Sequence, residues 1–333
     1  MSEIPTGTST GIGSLPGTDP FEASRLVLGE LGWPHVPELP ARGVGADMIG
    51  RGAAILVDLP VQRWGSDWEI ADRPGLDLQR AIDYLERDID AFGEVGDGYT
   101  GPVRLTATGP WTLAANVWRR RGGAMLADEG AAADLAQSLA EGLKRLIGKL
   151  RDRVPGGRWS LQLDEPRLPA VLAGRVRTES EFGFYRPVER DTVTRQLRDL
   201  IATVDVDTVI HCCAPEFDLS LATDAGAVAA VDLTLPEFRT PRGYDRLGEY
   251  LDDGRTLVAG VVGDYSGPPD ERTAAVLRNL HDLWNVLGFG EERLHRQLIL
   301  SPACGLAGNT PAEAAAKLTT ATAAASELEA RAR

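Results

Sequence analysis

The sequence predicts an α/β fold, a (β/α)8 TIM barrel built as one domain over residues 1–333. Three observations predict it. Short β-type runs alternate with longer helical patterns along the chain. Several of those runs are apolar nearly throughout, as parallel strands buried on both faces must be. No Gly/Ser-rich or Pro-rich linker divides the chain, and no short-period repeat is present. A doubly wound open sheet is the rival architecture.

The first predicted strand is "GTSTGIGS" (7–14), whose glycine spacing differs from the dinucleotide-binding fingerprint. A helix follows in "DPFEASRLVLGELG", capped by Asp19 and stopped at Gly32. The second strand is placed at "AAILVDLP" (53–60) and the third at "PVRLTATG" (102–109). The amphipathic "DLAQSLAEGLKRLIGKLRDRV" leads to the fourth, "RWSLQLDEP" (158–166). Next come "DTVIHCC" (207–213), "VAAVDLT" (228–234), "LVAGVVGD" (257–264) and "QLILSPACG" (297–305). Helical patterns in "DERTAAVLRNLHDLWNVLG" and "TPAEAAAKLTTATAAASELEARA" accompany the last two. The second opens on a Thr310–Glu313 capping box.

Composition narrows the function. A formal charge of −14 repels phosphate backbones, so no nucleic-acid partner is expected. The N-terminus has neither the basic nor the apolar region of a secretory signal, and no apolar run is long enough to span a membrane. Three cysteines cannot form a disulfide framework, and the adjacent pair Cys212–Cys213 has the wrong geometry for a disulfide. A cytoplasmic protein with reduced thiols is expected.

A barrel places its active site at the C-terminal ends of its strands. Ser14, Asp164 with Glu165, His211 with Cys212 and Cys213, Asp232, and Cys304 all fall there. Along a strand, residues i and i+2 share a face, so His211 and Cys213 point together and Cys212 points away. Zinc takes imidazole, thiolate and carboxylate ligands. His211, Cys213, Cys304 and Asp232 would offer one nitrogen, two sulfurs and an oxygen. Each alone has an ordinary role: cysteine as a small buried hydrophobe, histidine as a hydrogen-bonded core residue, aspartate as a cap. Asp164 ends an apolar strand and suits a cation such as a substrate ammonium, or a solvated strand end; alternation sends Glu165 to the other side. His281 and His295 read as structural or exposed, and His35 as either structural or functional. Trp111 and Trp118 suit packing or a flat platform in a pocket.

"IGSLPGTDP", "TGPWTL", "LQLDEP", "HCC" and "SPACGL" occur in an order that resembles the C-terminal catalytic barrel of cobalamin-independent methionine synthase. The resemblance runs along essentially the whole chain. It implies a barrel of the uroporphyrinogen decarboxylase and methionine synthase-like superfamily. It also implies a zinc-dependent transfer of a methyl group to the thiol of homocysteine. The family's His-x-Cys pair matches His211 and Cys213, and its late cysteine matches Cys304. Its carboxylate ligand is a glutamate whose nearest counterpart here is Asp232. Asp164 matches the aspartate that contacts the substrate amino group. Ile12 and Ser14 match residues that grip the amino acid, largely through backbone, and Glu38 matches a further substrate-binding glutamate.

The departures are specific. Full-length members carry a second, N-terminal barrel, whereas this sequence matches the catalytic half. The family's catalytic histidine has no counterpart in "VVGDYSGPP" (261–269). The tryptophan associated with the folate ring is not aligned, although Trp118 lies two residues further on. The methyl donor implied is a methyl-folate or a methylated corrinoid protein. Three other readings follow from the same residues: a uroporphyrinogen decarboxylase-like enzyme, a corrinoid-linked methyltransferase with another thiol acceptor, and a metal-binding barrel without turnover. The first needs an arginine-rich pocket and no zinc, which His-Cys-Cys argues against.

Overall fold

The computed structural model describes residues 4–332. The chain runs β1 (Thr8–Ser9), α1 (Pro20–Glu30), α2 (Met48–Ile55), β2 (Val61–Trp64), β3 (Asp67–Ile70), α3 (Leu76–Val95), β4 (Gly101–Thr108), α4 (Pro110–Asn116) and β5 (Val117–Trp118). It continues with α5 (Glu129–Arg153), β6 (Gly157–Asp164), α6 (Leu168–Leu172), α7 (Arg190–Val204), β7 (Thr208–Cys212), α8 (Leu219–Asp224) and β8 (Val228–Asp232). The last elements are α9 (Pro241–Asp252), β9 (Leu257–Val262), α10 (Pro269–Leu287), α11 (Glu291–Gln297), β10 (Leu298–Pro302) and α12 (Pro311–Ala332).

Seven strands form one curled sheet in the order β1-β10-β9-β8-β7-β6-β4, and every pairing in it is parallel. Their alternation divides two packed layers. On β7, Ile210 and Cys212 join the large cluster between sheet and helices, while Val209 joins Ile4, Trp33, Ala230, Val258 and Ile299 on the inner face. This small inner cluster plugs the concave side of the sheet with apolar volume, as a barrel-like interior requires.

The segment 33–38 runs between the two sheet edges. Isolated parallel bridges join Trp33 to Thr10, Glu38 to Ser14, and His35 to Arg104. Backbone hydrogen bonds follow: Trp33 N to Ser9 O, Glu38 N to Gly13 O, and Val36 N to Arg104 O, at 2.9, 3.1 and 2.9 Å. Pro34 and Pro37 have no N–H to give, so a regular ladder cannot form here.

The strand expected at 53–60 is corrected: residues 48–55 are helix α2. Asp47 caps it, accepting from Gly50 N at 3.0 Å. A short apolar run reads alike as strand or buried helix, and the Asp47 cap was the deciding signal. The antiparallel hairpin β2–β3, joined by β5 into a second, three-stranded sheet, was not expected. The strand expected over 7–14 is regular only at Thr8–Ser9, with isolated bridges at Thr10 and Ser14; the helix caps hold. Asp19 caps α1, accepting from Phe21 N at 2.8 Å. Thr310 N donates to Glu313 Oε2 at 2.7 Å, closing the expected capping box at the start of α12. Among the described residues no helix is long and apolar enough to cross a membrane.

His35 lies fully buried between the inner strands, its pKa lowered to about 3 by burial and then by the nearby Arg104 guanidinium. It folds neutral. The unfolded chain takes up a proton below about pH 6.5, so the stability present above that value is lost as pH falls toward 3. We expect wild-type unfolding free energy, from urea denaturation, to fall with acidification more steeply than in His35→Asn, by up to about 1.4 kcal/mol per pH unit. Equal slopes would refute the assignment.

Candidate functional site

Above the apolar plug the inner face turns polar. Arg104 on β4 stacks its guanidinium 4.5 Å over the Trp33 ring and donates through Nη2 to Thr10 Oγ1 at 3.0 Å and to Gly11 O. Burial draws its pKa down to about 9, and Asp164 acts in the opposite direction. One layer higher stands Gln162 on β6, fully buried, with Nε2 donating to Ile12 O at 2.7 Å and to Asp164 Oδ1 at 2.6 Å. The same Oδ1 lies 2.8 Å from Nδ1 of His211 on β7. A carboxylate accepts, so Nδ1 carries the proton. His211 Nε2 is buried and has no hydrogen-bond partner.

The sulfurs of Cys213 and Cys304 lie 3.1 Å apart, although 91 residues separate them in the chain. The hydrogen bond between them draws the Cys304 thiol down to about 6, opposed by burial and aided by His211, while Cys213 is driven far above the usual thiol range. Cys212 sits on the other face of β7 in the packing layer, where burial pushes its thiol up to about 12. Asp232, buried at the end of β8, is close enough to Cys304 to oppose its ionisation. Its Oδ1 accepts from Thr234 N and Thr234 Oγ1 at 2.8 and 2.5 Å, which leaves Oδ2 without a protein donor. Among the described residues, no group of three or more His, Cys, Asp or Glu side chains stands as a ready-made metal cluster.

On the opposite side of the mouth, Glu38 accepts from Thr106 Oγ1 at 2.7 Å. Burial raises its pKa to about 7 against the pull of Arg51, whose Nε is 3.5 Å away. Arg51 also pairs with Asp88, which Arg42 grips through both Nη atoms at 2.7 and 2.8 Å. Ser14 stands against Gly305: a Cβ on Gly305 would come within 2.2 Å of Ser14 Oγ. Leu306 N donates to Ser14 O at 2.8 Å, tying the "SPACGL" loop to the segment that follows β1.

Ile12, Ser14, Glu38, Asp164, His211, Cys213, Asp232 and Cys304 therefore stand around one end of the curled sheet. Glu165 does not join them. Its buried carboxylate accepts from Trp111 N, Thr112 N and Thr112 Oγ1 and holds the start of α4, with burial raising its pKa to about 7. In 261–269, Asp264 pairs with Lys317, and Tyr265 accepts from Asn279.

Gln162, Arg104, Thr106 and Arg51 escaped the sequence reading. For the first three the signal was alternation. Gln162 is two residues from Asp164, and Arg104 and Thr106 interrupt an apolar strand on one face. Arg51 carried none, because its segment read as strand.

Beside this mouth a groove of about 580 Å³ is lined by Trp64, Asn116, Trp118, Arg119, Arg121 and Arg167, among others. Trp64, at the hairpin tip, is 72% exposed.

A family model described as the catalytic domain of cobalamin-independent synthase matches residues 99–327. No curated protein sequence matches the chain. Among solved structures, a B12-independent methionine synthase from Shewanella sp. W3-18-1, in complex with selenomethionine, superposes with a TM-score of 0.57. It is 13% identical, over 98% of this chain and 99% of that one. A GH113 β-mannanase from Alicyclobacillus acidocaldarius is 14% identical over 98% of this chain and 97% of its own, at a TM-score of 0.47. The first likeness shows the fold.

Asp88, Arg42 and Arg51 are buried, and the carboxylate is the shared partner of both guanidiniums. Removing its charge strands the Arg42 guanidinium and leaves Arg51 only the more distant Glu38, 3.5 Å away. We expect Asp88→Asn to lower the unfolding free energy by about 3–5 kcal/mol in urea denaturation. A loss under about 1 kcal/mol would show that the network is no more than a surface pair in effect.

Proposed function

This chain belongs to the cobalamin-independent synthase catalytic-domain family, and on that premise we propose that it transfers a methyl group to the thiol of homocysteine at a zinc site, making methionine. The family supports the methyltransferase role. The observation that carries the finer reading is the Cys213–Cys304 sulfur pair at 3.1 Å, with the unpartnered His211 Nε2 on the same side.

The donor set suits zinc. Two sulfurs and an imidazole nitrogen are ligands it takes readily, and Oδ2 of Asp232 offers an oxygen in the position where the family uses glutamate. A metal would satisfy the orphaned Nε2, and Asp164 already holds the other ring nitrogen, as carboxylates do behind metal-bound imidazoles. Bound zinc keeps a coordinated thiol deprotonated and nucleophilic near neutral pH.

The chain's own groups do the rest in this reading. Asp164 receives the substrate ammonium on Oδ2, with Glu38 as the second carboxylate. The backbone at Ile12 and Ser14 grips the amino-acid end. That places the sulfur at the cysteines, where it attacks the methyl carbon in line. The new S–C bond forms as the donor's bond to the methyl group breaks, and fixed alignment supplies much of the rate. The groove of Trp118, Arg119, Arg121 and Arg167 offers flat and cationic contacts to the donor, a methyl-folate or a methylated corrinoid protein. The whole of 1–333 serves as one catalytic unit, with the segment 33–38 standing as the eighth stave of a (β/α)8 barrel.

Metal analysis of purified, untagged protein should find about one zinc per chain, with zinc lost in His211→Ala and Cys304→Ala. A metal-free wild type that still binds homocysteine would sink the zinc reading. Bound zinc with no methionine formed from either donor would favour a barrel that holds metal without turnover.

Asp164→Asn should raise the homocysteine dissociation constant about 10- to 100-fold, the worth of a hydrogen bond to a charged group, read by calorimetry. Unchanged affinity would remove Asp164 from the amino-acid site.

A further inference from the structure

Gln162 lies two residues below Asp164 on the same face of β6 and bonds both Asp164 and Ile12, yet neither the family likeness nor the reaction gives it a task. Its amide orientation is fixed by chemistry. Nε2 faces two acceptors, Ile12 O at 2.7 Å and Asp164 Oδ1 at 2.6 Å, so a flip would set oxygen against oxygen. The second donor to Asp164 Oδ1 is His211 Nδ1. One carboxylate oxygen thus takes both donors, and Oδ2 is left without one.

We propose that Gln162 is the positioning residue for both halves of the site: through Asp164 it fixes the imidazole that meets the metal and the oxygen that meets the substrate ammonium. This rests on the zinc and amino-acid reading above. Turning the Asp164 carboxylate to follow a bound ammonium would break its bond to His211 or to Gln162. Turning His211 would cost the bond that keeps its proton on Nδ1 and its Nε2 lone pair toward the cysteines. Gln162 resists both, because its other bond anchors it to the backbone of Ile12, across the concave side of the sheet. The ligands it serves are a divalent metal of zinc type and the ammonium of an L-amino acid. Since they share one carboxylate, their affinities are coupled, and by linkage each favours the other equally.

The test uses Gln162→Met in the full chain, which keeps volume and deletes both hydrogen bonds. Zinc affinity, by competition with a chromophoric chelator, should fall about 10- to 100-fold. The absorption bands of the cobalt(II)-loaded protein should shift, and L-methionine should bind about tenfold more weakly. Gln162→Asn retains the amide but draws it back from Asp164. It should move the same three quantities the same way, and it serves where the methionine variant does not fold. A folded variant with wild-type zinc affinity and an unchanged cobalt spectrum overturns the proposal while leaving the zinc reading intact. A wild type that binds no zinc overturns both.

Discussion

A curled parallel sheet must fill its own concave side, and the way this one does so governs everything above it. The lower part is filled by Trp33, Val209, Ala230, Val258 and Ile299. On the Trp33 ring lies the Arg104 guanidinium, a buried cation that the flat aromatic face can carry. That cation makes it possible to bury carboxylates in the next layer. Asp164 is close enough to oppose the fall in the Arg104 pKa, and Gln162 links the same carboxylate to the Ile12 backbone, just past β1. The change from apolar to polar along the inner face is what turns packed strands into a site.

The legible part of the fold was the part written in local chemistry. Apolar runs buried on both faces revealed the strands from 102 onward. The caps at Asp19 and Thr310 marked helices found where expected. The unread part lay between residues 33 and 70. There Pro34 and Pro37 deny the pairing segment its alternating N–H groups, so a chain that bridges both sheet edges has no strand signature. The apolar run at 53–60 took its place in the sequence reading because helix α2 is buried by neighbours far away in the chain. The short hairpin 61–70 is half polar and packs by tertiary contact.

The site was more legible than the middle of the fold, for a reason of symmetry. In a parallel sheet every strand runs to the same end, so chemistry placed at strand ends converges whatever the loops do. Alternation alone separated Cys212 from Cys213 and Glu165 from Asp164. The structure sets Cys212 in the packing layer and Glu165 at the start of α4. What alternation cannot give is the partner of a partner. The link from Asp88 on α3, which Arg42 also grips, through Arg51 on α2 reaches Glu38 at the mouth, and no local pattern encodes it.

Charge explains what that mouth prefers. Arg51 and Arg104 are its buried guanidiniums, set against Glu38, Asp164 and Asp232, with Cys304 the thiol more ready to give up its proton. The acids outnumber the cations before either sulfur ionises. Glu38 registers the imbalance: Asp164 and Asp88 add to burial in raising its pKa, and Arg51 only partly offsets them. A buried pocket with surplus negative charge is costly until cations enter it. In the proposed reading, a divalent metal at the cysteines and an ammonium at Asp164 would be two such cations, on neighbouring sides of the His211–Asp164 contact. The same surplus disfavours a substrate that carries several carboxylates into this mouth, which is the electrostatic argument against the decarboxylase alternative.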